Sequence, residues 1–187
     1  MDRHENYYIE KIAEILRNKF PEEFFITEVY TPYGTLDLKD KSGRPDILRI
    51  NKKGEITIIE VKKASHSSLS KWQIVGELLF YKFLTNTQLS QDNDEYKWLE
   101  KLIDKGVVDQ ATIDSIEEKH KNGVNLVTSC ALVICEGFFD DLRKNETLWH
   151  MYEYVREFDV LKLDILYLDE FEPDHFSLRL MNNWFLE

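Results

Sequence analysis

Hydrophobic positions along this chain switch between helical spacing and short strand-like runs, so helices and strands should interleave. Residues 5–19 place Tyr8, Ile9, Ile12, Ile15 and Leu16 on one helical face, and Pro21 marks the end of that helix. Residues 24–30 are rich in β-formers and lead to a turn at Pro32-Tyr33-Gly34. Two further β-rich runs, residues 45–50 and 55–62, flank the polar turn Asn51-Lys52-Lys53-Gly54 and predict a hairpin. Ser65-His66-Ser67-Ser68 offers a helix N-cap, and from Leu69 to about Leu84 the pattern is helical. Ile74, Leu78 and Tyr81 form its apolar stripe, with Trp72, Val75 and Leu79 beside it. Residues 90–122 are charged and read as two helices broken at Gly106. Leu126 to Cys135 reads as a buried strand, residues 138–156 as a helix, and residues 161–168 and 175–181 as two more strands. No repeat or linker divides the chain, so residues 1–187 are expected to form one α/β domain with helices packed on a mixed sheet.

The hairpin carries the chemistry. If Ile50 lies opposite Ile56, then Leu48 faces Ile58 and Asp46 faces Glu60. Alternation along a strand then puts Asp46, Glu60 and Lys62 on one face. Opposed residues have Cβ atoms roughly 5 Å apart. Carboxylates that close repel unless a cation lies between them, and oxygen ligands suit a hard divalent ion. Ile56, Ile58, Ile59 and Val61 mark a buried strand, where an unpaired charge is costly. The simpler alternative is a surface hairpin with an ordinary Asp46–Lys62 ion pair. Asp37 is a rival carboxylate, but it precedes Gly43 and belongs to a different turn.

Composition narrows the picture. Aromatic residues make up 13% of the chain, which argues for a packed core rather than disorder. No run approaches the roughly 20 apolar residues needed to span a bilayer, and Met1-Asp2-Arg3-His4-Glu5 has no signal-like apolar stretch. A cytoplasmic location without membrane association is therefore expected. Cys130 and Cys135 are five apart on one strand, so they should face opposite ways as buried, unpaired thiols. The formal net charge is −11, yet Lys39 to Lys82 holds ten cationic against five anionic side chains. That segment carries about +5 and the rest about −16, which suits a polyanionic substrate approaching one side.

Pro45-Asp46, a strand-length gap and Glu60-Val61-Lys62 resemble the signature of the PD-(D/E)XK nuclease superfamily. Gly43-Arg44-Pro45-Asp46-Ile47-Leu48 and Ile58-Ile59-Glu60-Val61-Lys62-Lys63 match its usual surroundings. The resemblance covers roughly residues 5–85 and, more loosely, a later strand. It implies a restriction-endonuclease-like fold in which three antiparallel strands precede a helix and a fourth strand. Residues 90–122 would then be a helical insertion.

The resemblance further implies a metal-dependent hydrolase of phosphodiester bonds, an endonuclease acting on DNA. Mg²⁺ or Mn²⁺ would be held by Asp46, Glu60 and the Val61 carbonyl. Glu5 is the candidate for a further ligand from the first helix. It shares the inward face with Ile9, Ile12 and Leu16, whereas Glu10 and Glu14 point away; the alternative for Glu5 is an exposed first turn. Lys62 would orient or deprotonate water, or stabilise charge on the phosphoryl oxygens. Gln73 resembles a glutamine found at this point in several branches, and is assigned a catalytic role with Asp46, Glu60 and Lys62. Those branches often carry a Tyr four residues later, where this chain has Glu77, with Tyr81 a turn further on. Gln73, Glu77 and Tyr81 share a helix face, and all three can look toward the site; alternatively Glu77 is solvated and Tyr81 lies in the core. Arg44, Lys63 and Lys71 are the expected nucleic-acid contacts. A homodimer, or a complex with a recognition subunit, would supply target selection. Two alternatives stay open: a nuclease-fold binding or assembly module without catalysis, and an RNA-directed nuclease.

Overall fold

The computed structural model describes residues 4–27, 45–66, 69, 73–88, 107–136, 145–157 and 161–181. In chain order the elements are α1 (Glu5–Lys19), β1 (Phe24–Thr27), β2 (Ile47–Ile50), β3 (Ile56–Lys63), α2 (Gln73–Gln88), α3 (Gln110–Lys121), β4 (Val127–Cys135), α4 (Glu146–Glu157), β5 (Leu163–Glu172) and β6 (His175–Leu180). The six strands form one mixed sheet in the order β1-β2-β3-β4-β5-β6. β1, β2 and β3 are antiparallel neighbours, β3, β4 and β5 run parallel, and β6 returns antiparallel to β5. The protein is α/β as expected, with three antiparallel strands followed by helices and a parallel fourth strand.

Alternation divides the sheet into two apolar faces. Leu48, Ile56, Ile58, Cys130, Leu132, Ile134 and Ile165 pack with α2, α3 and α4. Ile47, Ile59, Val61, Ala131, Val133 and Cys135 pack with Tyr8, Ile9, Ile12 and Ala13 of α1. The central strands β3 and β4 are therefore covered on both sides and read as continuous apolar runs. Cys130 and Cys135 fall in different cores, both buried and free, as their odd spacing requires.

The β2–β3 turn shows how local chemistry fixes register. Asn51 Oδ1 accepts the backbone N–H groups of Lys53 and Glu55, at 2.9 and 3.0 Å. Gly54 follows with φ +68°, and a Cβ there would lie 2.8 Å from Ile116 Cγ1 and 2.9 Å from the Ile116 backbone N. Glycine thus serves both the turn and the close approach of α3. The resulting ladder pairs Ile50 with Ile56 and Leu48 with Ile58, the register the pattern predicts.

Two boundaries differ from the sequence reading. The helix expected over residues 138–156 begins at Glu146, because Asn145 Oδ1 accepts the Leu148 N–H and caps it; residues 137–144 lie outside the described region. β5 continues past its last core residue to Glu172, since backbone pairing with β6 carries the hairpin beyond the core. Of the helices expected over residues 90–122, α3 accounts for the second, and residues 89–106 lie outside the description. Also outside it are the end of the strand expected over residues 24–30, the following turn, and Ser67 and Ser68 of the serine-rich link before α2. Among the described residues no helix is long and apolar enough to cross a membrane.

Candidate active site

The carboxyl ends of β3 and β4 meet the start of β2 at one edge of the sheet, where open α/β sheets place their ligands. The β2–β3 ladder ends at Ile47–Ile59, and Asp46 lies one step beyond it. Its Oδ2 accepts the Val61 N–H at 2.7 Å, so the side chain extends the ladder after the backbone has left it. A strand residue presents its N–H and C=O to the same neighbour, so the Val61 carbonyl is directed to the Asp46 side as well.

Glu60 and Lys62 share the face of Ile56 and Ile58, as alternation predicts. Both are buried, at 2% and 9% exposure. Lys62 Nζ donates to Glu60 Oε1 at 2.5 Å. It also lies 3.9 Å from Glu5 Oε1 at the start of α1 and 4.0 Å from Glu77 Oε2 on α2. One ammonium therefore faces carboxylates from α1, β3 and α2, with Asp46 close enough to join their electrostatics. Among the described residues, the buried Glu60 Oε2 has no hydrogen-bond partner.

The carboxylates respond to this crowding. Asp46 is pushed up to about 6, first by burial and then by Glu5 and Glu77, against the Val61 hydrogen bond and Lys62. Glu60 is pushed up to about 8 by burial and by the Asp46 charge, with Lys62 opposing. Burial pulls the Lys62 ammonium down, but Glu60, Asp46 and Glu5 outweigh it and hold it above its ordinary value. The two directions compete, since Lys62 gains from an ionised Glu60 whereas burial favours a proton on Glu60. Burial decides in favour of the proton, because Glu60 is the deeper group and faces a second carboxylate besides. Among the described residues the site holds more carboxyl groups than cations.

That excess of carboxyl groups, the unpartnered Glu60 oxygen and the all-oxygen donor set fit a hard divalent cation. Asp46, Glu60, the Val61 carbonyl and Glu5 are the groups to hold it. Among the described residues, however, no group of three or more His, Cys, Asp or Glu is arranged to hold a metal ion as it stands. Lys62 takes one Glu60 oxygen and Val61 takes one Asp46 oxygen, so the side chains would have to readjust.

Other expected site residues have different fates. Gln73 is exposed, and its Nε2 donates to Glu77 Oε1 at 3.0 Å rather than reaching Asp46 or Glu60. Tyr81 is buried in the core, and Glu77 on the same helix comes within 4.0 Å of Lys62. Lys63 points to the opposite face and pairs with Glu136 at 3.0 Å. Arg44, Lys71 and the rival Asp37 lie outside the described residues.

Of the expected basic island, Lys39, Lys41, Arg44 and Lys71 lie outside the described residues, and the described cations do not share one place. Lys52 and Lys53 occupy the turn at the far end of β3, roughly 20 Å from Lys62 at strand rise. Lys52 pairs with Asp109 at 2.9 Å, and Arg49 is bound by Glu23. Charge adjacent in sequence is split here by the length of a strand.

One residue escaped the sequence reading. Glu136 follows β4 with φ +59° and accepts the Tyr8 hydroxyl at 2.9 Å while pairing with Lys63. It ties the first turns of α1, and so Glu5, to the same sheet edge. An acid directly after a buried apolar run was the available signal.

Comparison with known proteins yields no match among family models, curated proteins or solved structures.

Proposed function

We propose that this chain is a metal-dependent nuclease of the PD-(D/E)XK type with a restriction-endonuclease-like fold, cleaving phosphodiester bonds in DNA. One observation carries the reading. Asp46, Glu60 and Lys62 gather at one sheet edge, where the second oxygen of the buried Glu60 carboxyl has no hydrogen-bond partner among the described residues. The strand order, antiparallel then parallel, supports the same fold. A cytoplasmic location and a homodimer or recognition partner belong to this proposal.

Asp46, Glu60 and the Val61 carbonyl, with Glu5, would hold Mg²⁺ or Mn²⁺. Bound there, the ion supplies positive charge toward the anionic phosphodiester and makes water a stronger nucleophile. The Val61 N–H fixes one Asp46 oxygen at this sheet edge. Lys62, beside the ion, would orient or deprotonate the water or stabilise charge on the phosphoryl oxygens. Gln73 holds Glu77, which in turn faces Lys62.

A second reading is a binding or assembly module of the same fold. It is favoured by Lys62 already lying against Glu60, which gives the site an internal cation. Incubation of the protein with single-stranded, duplex, branched and supercoiled DNA and with RNA, in Mn²⁺ or Mg²⁺ and in EDTA, tests both. Cleavage of DNA dependent on the ion, and lost in folded Asp46→Ala and Lys62→Ala variants, is the expected result. Full activity in both variants would remove the nuclease assignment. Absence of divalent-ion binding by calorimetry would favour the module.

A further inference from the structure

Lys62 lies between carboxylates of very different accessibility. The Glu60 side chain is 3% exposed, whereas those of Glu77 and Glu5 are 27% and 33% exposed. Glu77 also has a support of its own. Gln73, one turn earlier on α2, donates to Glu77 Oε1 and leaves Oε2 directed at Lys62. A divalent cation drawn to Glu60 would meet the ammonium already there, and two like charges at such range in a buried site repel strongly. The ammonium must then leave Glu60.

We propose that Glu77 is a positioning residue that receives the Lys62 ammonium when Glu60 turns to a divalent cation, with Gln73 holding Glu77 for the exchange. The inference rests on the nuclease reading, because it requires the ion. Glu5 is the less suitable receiver, since it is itself a candidate ligand and would turn toward the same ion. The move is short, because Nζ is already 4.0 Å from Glu77 Oε2 at the end of a flexible stem. It carries the ammonium from the buried floor of the site to its partly exposed rim, where a phosphate would arrive.

Calorimetric titration of the full chain with Mn²⁺, without nucleic acid, tests the exchange in the wild type, Glu77→Gln, Lys62→Met and the double variant. Glu77→Gln should weaken Mn²⁺ binding about five- to tenfold in the wild-type background. In the Lys62→Met background the same change should have less than about a twofold effect, since no ammonium remains to be received. An equal factor in both backgrounds would mean that Glu77 acts only through its charge, and would overturn the exchange. Unchanged affinity in Glu77→Gln would do the same. A wild type that takes up no Mn²⁺ would remove the nuclease reading and this inference together, an outcome distinct from the other two. Should Lys62→Met fail to fold, a crystal structure of the wild type with Mn²⁺ decides. Lys62 Nζ within hydrogen-bond distance of Glu77 Oε2 is expected, and Nζ still against Glu60 would refute the proposal.

Discussion

Replacing Glu60 by glutamine keeps the shape of the side chain and removes the deepest ionisable carboxyl of the site. Glu60 is raised from 4.5 to about 8, chiefly by burial and then by Asp46. An acid raised on folding binds its proton more tightly in the folded state. Its contribution to stability is therefore complete below about pH 4.5 and is lost as pH rises through about 8. At about 1.4 kcal/mol per unit the full shift corresponds to roughly 5 kcal/mol. Asp46, raised to about 6, competes for the same proton, and roughly half of that value is the working expectation. Urea unfolding in EDTA at a series of pH values from 4 to 9 measures it. The wild type should lose roughly 2–3 kcal/mol relative to Glu60→Gln between pH 5 and pH 9, with the two variants similar near pH 4. Mg²⁺ or Mn²⁺ should restore the wild type at pH 8 and leave Glu60→Gln little changed, because a ligand stabilises only the state that binds it. A wild-type profile parallel to that of Glu60→Gln would refute the claim that burial and Asp46 crowd this carboxylate.

Two further predictions follow from the fold. Gly54→Ala must place a Cβ both at φ +68° and 2.8 Å from Ile116, so it should cost about 2–4 kcal/mol in chemical denaturation. Gly123→Ala shares the positive φ but meets nothing within 4 Å, and should cost only about 1 kcal/mol; equal losses would show that the Ile116 approach has no weight. Cys130 and Cys135, both pushed up to about 12 by burial, should resist a disulfide reagent at pH 8 until the protein unfolds, and prompt labelling of the native chain would contradict their burial.

Much of the frame was legible in the chain because alternation is a local property. A period of two places Ile56, Ile58, Glu60 and Lys62 on one face whatever surrounds them, and Asn51 with Gly54 sets the turn that brings Ile50 opposite Ile56. The same parity sends Cys130 and Cys135 into separate cores. The described cations of the charge run from Lys39 to Lys82 are dispersed for a related reason. Proximity in sequence is not proximity in space once a strand intervenes, and Lys52 and Lys62 end at opposite edges of the sheet.

The chain by itself thus determined the strands, the pairing of the central hairpin and which of its residues share a face, since each depends on short-range periodicity and turn chemistry. Only the packed structure decided that Glu5 from one side of the sheet and Glu77 from the other would close on Lys62 at a single edge. It also decided that Glu136 would tie α1 there. The physical reason is that a helix period names the face a residue occupies, while the depth and height at which that face meets the sheet follow from the packing of two cores at once.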